Sequence, residues 1–162
     1  MIRKIIYAAI AVFVIIQFIP VERDNPAVEG AISAPVEVQA ILSRACYDCH
    51  SHETKWPWYS YVAPLSLLVA HDVHEGREHL NFSRWQTYAA KFQKHKMEDI
   101  WEQVSEGNMP LWFYIPLHPE AKLSDADLAT LQAWATAGTA PDSEMEGERE
   151  SSGEHEGSET DQ

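Results

Sequence analysis

The pentapeptide Cys46-Tyr47-Asp48-Cys49-His50 constrains this chain more than any other stretch, because it holds both of its cysteines. The pattern is C-x-x-C-H, the sequence form of covalent haem attachment. The spacing has a chemical reason. Two thiols must each add to one vinyl group of a flat macrocycle, and the adjacent imidazole must reach its iron. Residues three and four apart share a helix face, so Cys46, Cys49 and His50 can address one ring. Three other readings compete. A redox dithiol belongs beside a βαβ pattern, and no strand-rich stretch adjoins the motif. Structural zinc takes four compactly spaced ligands, whereas His71 and His74 are distant and too close together for the usual histidine pair. A disulfide across so short a loop would restrain little of the unfolded chain. The expected cofactor is one covalently attached haem c. Cys46 and Cys49 supply its thioethers and His50 is the proximal iron ligand.

The chain has 162 residues, room for one ordinary domain. Residues 1–20 begin with Arg3 and Lys4 and are then apolar from 5 to 19, interrupted only by Gln17. This run is slightly short of the about 20 residues of a membrane helix. Residues 20–24 offer no small-residue cleavage site of the signal-peptide kind. An uncleaved signal anchor is favoured over a cleaved signal peptide, and either exports the remainder of the chain. Arg3 and Lys4 stay in the cytoplasm by the positive-inside rule. The expected location is the cell inner membrane, single-pass, with the haem domain on the periplasmic side.

Residues 21–35 contain Pro26, Gly30 and Pro35 and read as a tether. Residues 36–140 form the expected haem domain. Residues 141–162 are acidic, rich in Ser and Gly and without aromatics, a composition that predicts disorder. They carry much of the net charge of -13. No broad basic face is legible, which argues against nucleic acid as a partner.

The domain reads as all-α. A short helix over 36–44 leads into the motif. Residues 51–63 form an aromatic loop with Trp56, Trp58, Tyr59 and Tyr61. Pro64 opens a second helix, with Leu65, Leu68, Val69, Val73 and Gly76 at a 3.6-residue period. His71 and His74 fall on a neighbouring face, read as solvated histidines rather than a second metal site. Ser83 with Gln86 reads as a capping box, starting a third helix that runs to about Glu106. Lys91, Lys94 and Lys96 form a small basic cluster on it, a solvated face or a dock for an acidic redox partner. Gly107 closes that helix. Ser124 with Asp127 starts a last helix that Gly138 ends.

Pro110 pushes Met109 into an extended conformation, on a loop well placed to bring a second axial ligand to the iron. Methionine paired with histidine is a recognised haem ligation that raises the reduction potential. Met109 is therefore the expected distal ligand, with His118 the alternative and His71 or His74 behind. Met1, Met97 and Met145 lie in a terminus, inside a helix and in the acidic tail.

The helix entering C-x-x-C-H, the later methionine loop and the closing helix together resemble a small c-type cytochrome. More narrowly, the chain resembles the bacterial haem-binding-domain family of small anchored proteins. The residues that carry this are 46–51, Trp56-Pro57-Trp58-Tyr59-Ser60, Asn81-Phe82, Met109-Pro110, Leu117-His118-Pro119-Glu120-Ala121 and Leu123-Ser124. The resemblance spans residues 36–138 and implies a haem c domain outside the cytoplasmic membrane; the acidic tail departs from it. The expected function is one-electron transfer to redox protein partners, not catalysis. A haem-based peroxidase or a gas or redox sensor with a replaceable distal ligand is the alternative. A structural role, with haem as a folding staple, is a third.

Overall fold

The computed structural model describes residues 1–139, and every regular element among them is helical. The helices are α1 (Ile2–Ile16), α2 (Val36–Ala45), α3 (Tyr47–His50), α4 (Leu65–His79), α5 (Ala90–Ser105) and α6 (Asp125–Thr139). Short 3-10 turns at Trp58–Tyr61, Phe82–Thr87, Ile115–Leu117 and Pro119–Ala121 connect them. The expected acidic tail, 141–162, lies outside the described residues.

Helical spacing builds the core. Val38, Ile41 and Leu42 on α2, Ile100 and Val104 on α5, and Leu131 and Ala135 on α6 are buried at three- and four-residue intervals. α6 packs on both α5 and α2. Phe82 sits at the centre, stacked on Tyr47 (5.4 Å between ring centroids) and on Trp85 (6.2 Å), with the His50 ring edge-on at 6.5 Å. The core and the C-x-x-C-H motif thus share one side chain. Full burial of such a side chain contributes on the order of 3 kcal/mol.

The closing helix starts as its sequence predicts. Asp127 Oδ2 accepts from the Ser124 amide (2.8 Å) and hydroxyl (2.7 Å), and Ser124 Oγ accepts from the Asp127 amide (3.2 Å). Asp127 also pairs with Arg44 at 2.6 Å. Arg44 donates to the Glu120 carbonyl (2.7 Å) as well, so one guanidinium joins the end of α2, the loop before α6 and the start of α6. α6 runs one residue past Gly138, to Thr139.

Two expectations are corrected. Residues 21–35 are not a tether, because they lie along the domain. The amides of Glu29 and Gly30 donate to Ser83 O and that of Ile32 to Phe82 O, each at 3.0 Å, and Ile32 is in the core. Arg77 fastens the segment further, donating to Asp24 O (3.0 Å) and Asn25 Oδ1 (2.9 Å). The Ser83–Gln86 capping box does not form either. Asn81 caps the Phe82–Thr87 turn instead (Ser83 N to Asn81 Oδ1, 3.0 Å), while Gln86 Nε2 donates to Ala31 O. The chain then extends at Tyr88 and Ala89 before α5 begins.

The expected anchor corresponds to α1. α1 has 15 residues, about 22 Å at 1.5 Å per residue. Among the described residues, no helix is long and apolar enough to cross a membrane. The spanning helix expected at the N-terminus therefore has no support in the fold.

Candidate haem site

α2 ends at Ala45, and the chain re-enters a helical turn at Tyr47–His50. This places Cys46, Cys49 and His50 on one wall of a cleft of about 600 Å³. α4 forms a second wall with Leu65, Leu68, Val69 and Val73, and the 109–118 loop closes the far side with Met109, Phe113 and Leu117. Leu65 and Leu68 are each 44 % exposed although they lie on the helix's apolar stripe. They line the cleft rather than the core. A flat apolar ligand would cover them.

The contact between α3 and α4 is close at Gly76. A Cβ at this position would stand 2.7 Å from the Cys49 carbonyl oxygen, so only glycine lets α4 approach the motif. The approach has a chemical result. His50 Nδ1 lies 2.8 Å from Gly76 O and 3.1 Å from Leu80 O. Both partners are acceptors, so Nδ1 carries the proton and donates. Nε2 is left as the free nitrogen of a ring that lines the cleft. Such a backbone bond fixes tautomer and orientation in metal-ligating histidines. Burial lowers the His50 pKa, against the opposing pull of these two bonds, which keeps the imidazole neutral and able to ligate.

Both thiols are pushed up to about 12. Burial is the main cause for each, reinforced at Cys46 by Cys49 and at Cys49 by Asp48 and Asp72. Two thiols and a free Nε2 on one wall of an apolar cleft are the donor set that a covalently attached haem requires.

The chain belongs to the haem-binding domain family. The model of the family described as "Haem-binding domain" matches residues 11–137, well over half of the chain. That match includes the segment 21–35, in keeping with its hydrogen bonds to the domain, and reaches into α1. No curated protein and no solved structure matches the chain.

The haem-binding domain brings Met109 and His118 to the same cleft but in different states. Gly107, at φ 74°, turns the chain out of α5, and the amides of Asn108 and Met109 both donate to Gln103 O. Met109 is half-buried, packs against the core and lines the cleft. His118 already uses both ring nitrogens. Nδ1 faces Glu120 Oε1 at 3.3 Å, and Nε2 accepts from the Tyr59 hydroxyl at 2.6 Å. His71 and His74 are exposed outside the cleft, and His74 pairs with Glu78 at 3.2 Å. Among the described residues, no three or more His, Cys, Asp or Glu side chains cluster as a metal site. The lysine cluster is divided, since Lys96 turns to the cleft and donates to His79 O at 2.6 Å.

Sequence reasoning missed a polar network on the cleft wall. The His118 ring stacks on Tyr114 at 4.0 Å, and Tyr114 donates to Asp48 Oδ2 at 2.7 Å. Burial, then the Asp48 bond, raises the Tyr114 pKa, so the phenol stays protonated. Asp48 is the second variable residue of C-x-x-C-H, and its partner is 66 positions away. Tyr59 and Tyr114 were visible only as members of aromatic stretches, and His118 only as an alternative iron ligand. His52 was also missed. It is buried, donates from Nδ1 to Ala27 O (2.8 Å) and accepts on Nε2 from Asn81 (2.9 Å), so it braces the motif.

Proposed function

We propose that this haem-binding protein is an extracytoplasmic one-electron carrier. Cys46 and Cys49 hold haem c through thioether bonds, His50 Nε2 is the proximal ligand and Met109 the distal one. The orientation of His50 carries this reading, since its Nδ1–H is held by two carbonyls and its other nitrogen is free on the cleft side. The haem, when bound, supplies the ferric–ferrous couple. The chain's own residues orient the ligand, exclude water with the Leu65, Leu68 and Leu117 side chains, and set the potential through ligand type and burial. The apolar N-terminal segment attaches the protein to the cytoplasmic membrane, facing its redox partners.

The test is the absorption spectrum of the matured protein and of Met109→Ala, oxidised and reduced, with and without carbon monoxide. The far-red methionine–iron band is expected in the parent and absent from the variant, with the parent inert to carbon monoxide. An unchanged spectrum in Met109→Ala refutes the distal assignment.

The Tyr59–His118–Glu120 chain favours a second reading, because a hydrogen-bonded imidazole on the cleft wall has the means to move a proton. A high-spin parent that binds carbon monoxide tightly and turns over peroxide would replace the carrier with a peroxidase or sensor.

A further inference from the structure

α1 is apolar on every side, yet none of its residues is buried against the domain. A helix apolar all round belongs in a core or in lipid. Its one end carries Arg3 and Lys4; past its other end Phe18 and Ile19 continue the exposed apolar run. Gln17 is the one polar side chain between residues 5 and 19, and it has a partner. Gln17 Nε2 donates to Ala63 O at 3.1 Å, and the Ala63 amide donates to Gln17 Oε1 at 2.9 Å. One side-chain amide thus satisfies both backbone groups of one residue, 46 positions away. Six residues on, Arg23 donates to Ser60 O at 3.1 Å and lies 4.6 Å over the Tyr61 ring.

The face so gripped is itself apolar. Trp58 is 77 % exposed and Tyr61 59 %, and Val62 and Leu65 are exposed beside them. Aromatic rings with an arginine, at the end of an apolar helix whose other end is cationic, have the composition of a membrane–water interface. Helix length adds to this. At about 22 Å, α1 is shorter than the roughly 30 Å hydrocarbon core. A short apolar segment enters lipid only with its flanks drawn to the interface, and here the flank is bolted to residues 58–63.

We infer that the domain does not swing from α1 but docks on the bilayer through the face formed by residues 58–65, in one orientation fixed by Gln17 and Arg23. This rests on the membrane attachment proposed above. Leu65 belongs both to this face and to the cleft lining, so the cleft's apolar edge meets the lipid interface.

The experiment uses full-length matured protein in vesicles of mixed phosphatidylcholine and phosphatidylglycerol. Flotation reports attachment, and linear dichroism of the haem band in oriented multilayers reports orientation. The parent floats and is dichroic. Gln17→Leu floats equally, since its helix is more apolar, but loses most of the dichroism while its haem spectrum stays that of the parent. Trp58→Ser with Tyr61→Ser also floats through α1 and loses dichroism. Full dichroism in Gln17→Leu overturns the clamp. A parent that floats with an isotropic haem overturns the docking and leaves the attachment standing. A parent that does not float, with α1 buried in a dimer of two copies, overturns both.

Discussion

Gly76→Ala is the sharpest perturbation of the haem wall. The new Cβ would meet the Cys49 carbonyl oxygen at 2.7 Å and the Cys49 Cβ at 3.2 Å. Ordinary contact begins at 3.4 Å, so α4 must retreat from α3 by about 0.7 Å along the closest line, the typical response of an overpacked site. Neither side yields as the far end of a flexible side chain would, since one is backbone and the other the Cβ of Cys49. A retreat of that size along the His50 bond stretches Nδ1–Gly76 O from 2.8 Å to about 3.5 Å, where a hydrogen bond has lost most of its strength. Overpacking costs about 1–3 kcal/mol, and loss of the bond about 1 kcal/mol more. The better helix propensity of alanine returns about 1 kcal/mol. The expected net loss is about 2 kcal/mol. Urea unfolding of the matured protein measures it, and the absorption spectrum reads the freed His50 as a weaker proximal ligand. A variant as stable as the parent, with an unchanged spectrum, refutes the claim that α4 positions the histidine through Gly76.

Arg77 donates to Ser51 O, Thr54 Oγ1, Asp24 O and Asn25 Oδ1; Arg77→Ala should lose about 3 kcal/mol in urea and release residues 24–32 to hydrogen exchange. Lysine should not rescue it, because it lacks the forked donor set. Arg44 holds the Asp127 pKa down, from 3.8 to about 2, helped by the Ser124 amide. The folded value lies below the unfolded one, so this stabilisation is complete above 3.8 and disappears as pH falls through about 2. The bare shift is worth roughly 2.4 kcal/mol; screening at this partly exposed pair leaves about 1 kcal/mol, which Asp127→Asn should forfeit at neutral pH but not at pH about 2, by thermal unfolding. Tyr59→Phe removes the donor to His118 Nε2 and should cost about 1 kcal/mol without altering the spectrum; a changed spectrum would mean that His118, not Met109, senses the iron.

Local signals were legible in the sequence. The C-x-x-C-H spacing, the Ser124–Asp127 cap, the glycine at position 107 and the α2, α4 and α6 stripes depend on residues within a turn of one another. The failures have the opposite character. The strap over 21–35 is held by backbone bonds to Ser83 and Phe82 and by Arg77, none near it in sequence. The false cap at Ser83 had the right residues, but Ser83 lies inside the turn and Asn81, immediately before it, takes the Ser83 amide, while Gln86 is drawn to Ala31. Tyr114 and Asp48 meet across the cleft only because the 109–118 loop folds back over the motif. Gln17 read as a flaw in an apolar run until its pairing with Ala63 gave it a purpose.

The most direct test of the account is the fate of the haem after maturation, acid–acetone extraction and proteolysis. Mass analysis is predicted to find one haem retained on the peptide that holds Cys46, Cys49 and His50, and none on the Cys46→Ala, Cys49→Ala variant. Haem that extracts freely, leaving both thiols open to alkylation, would contradict it.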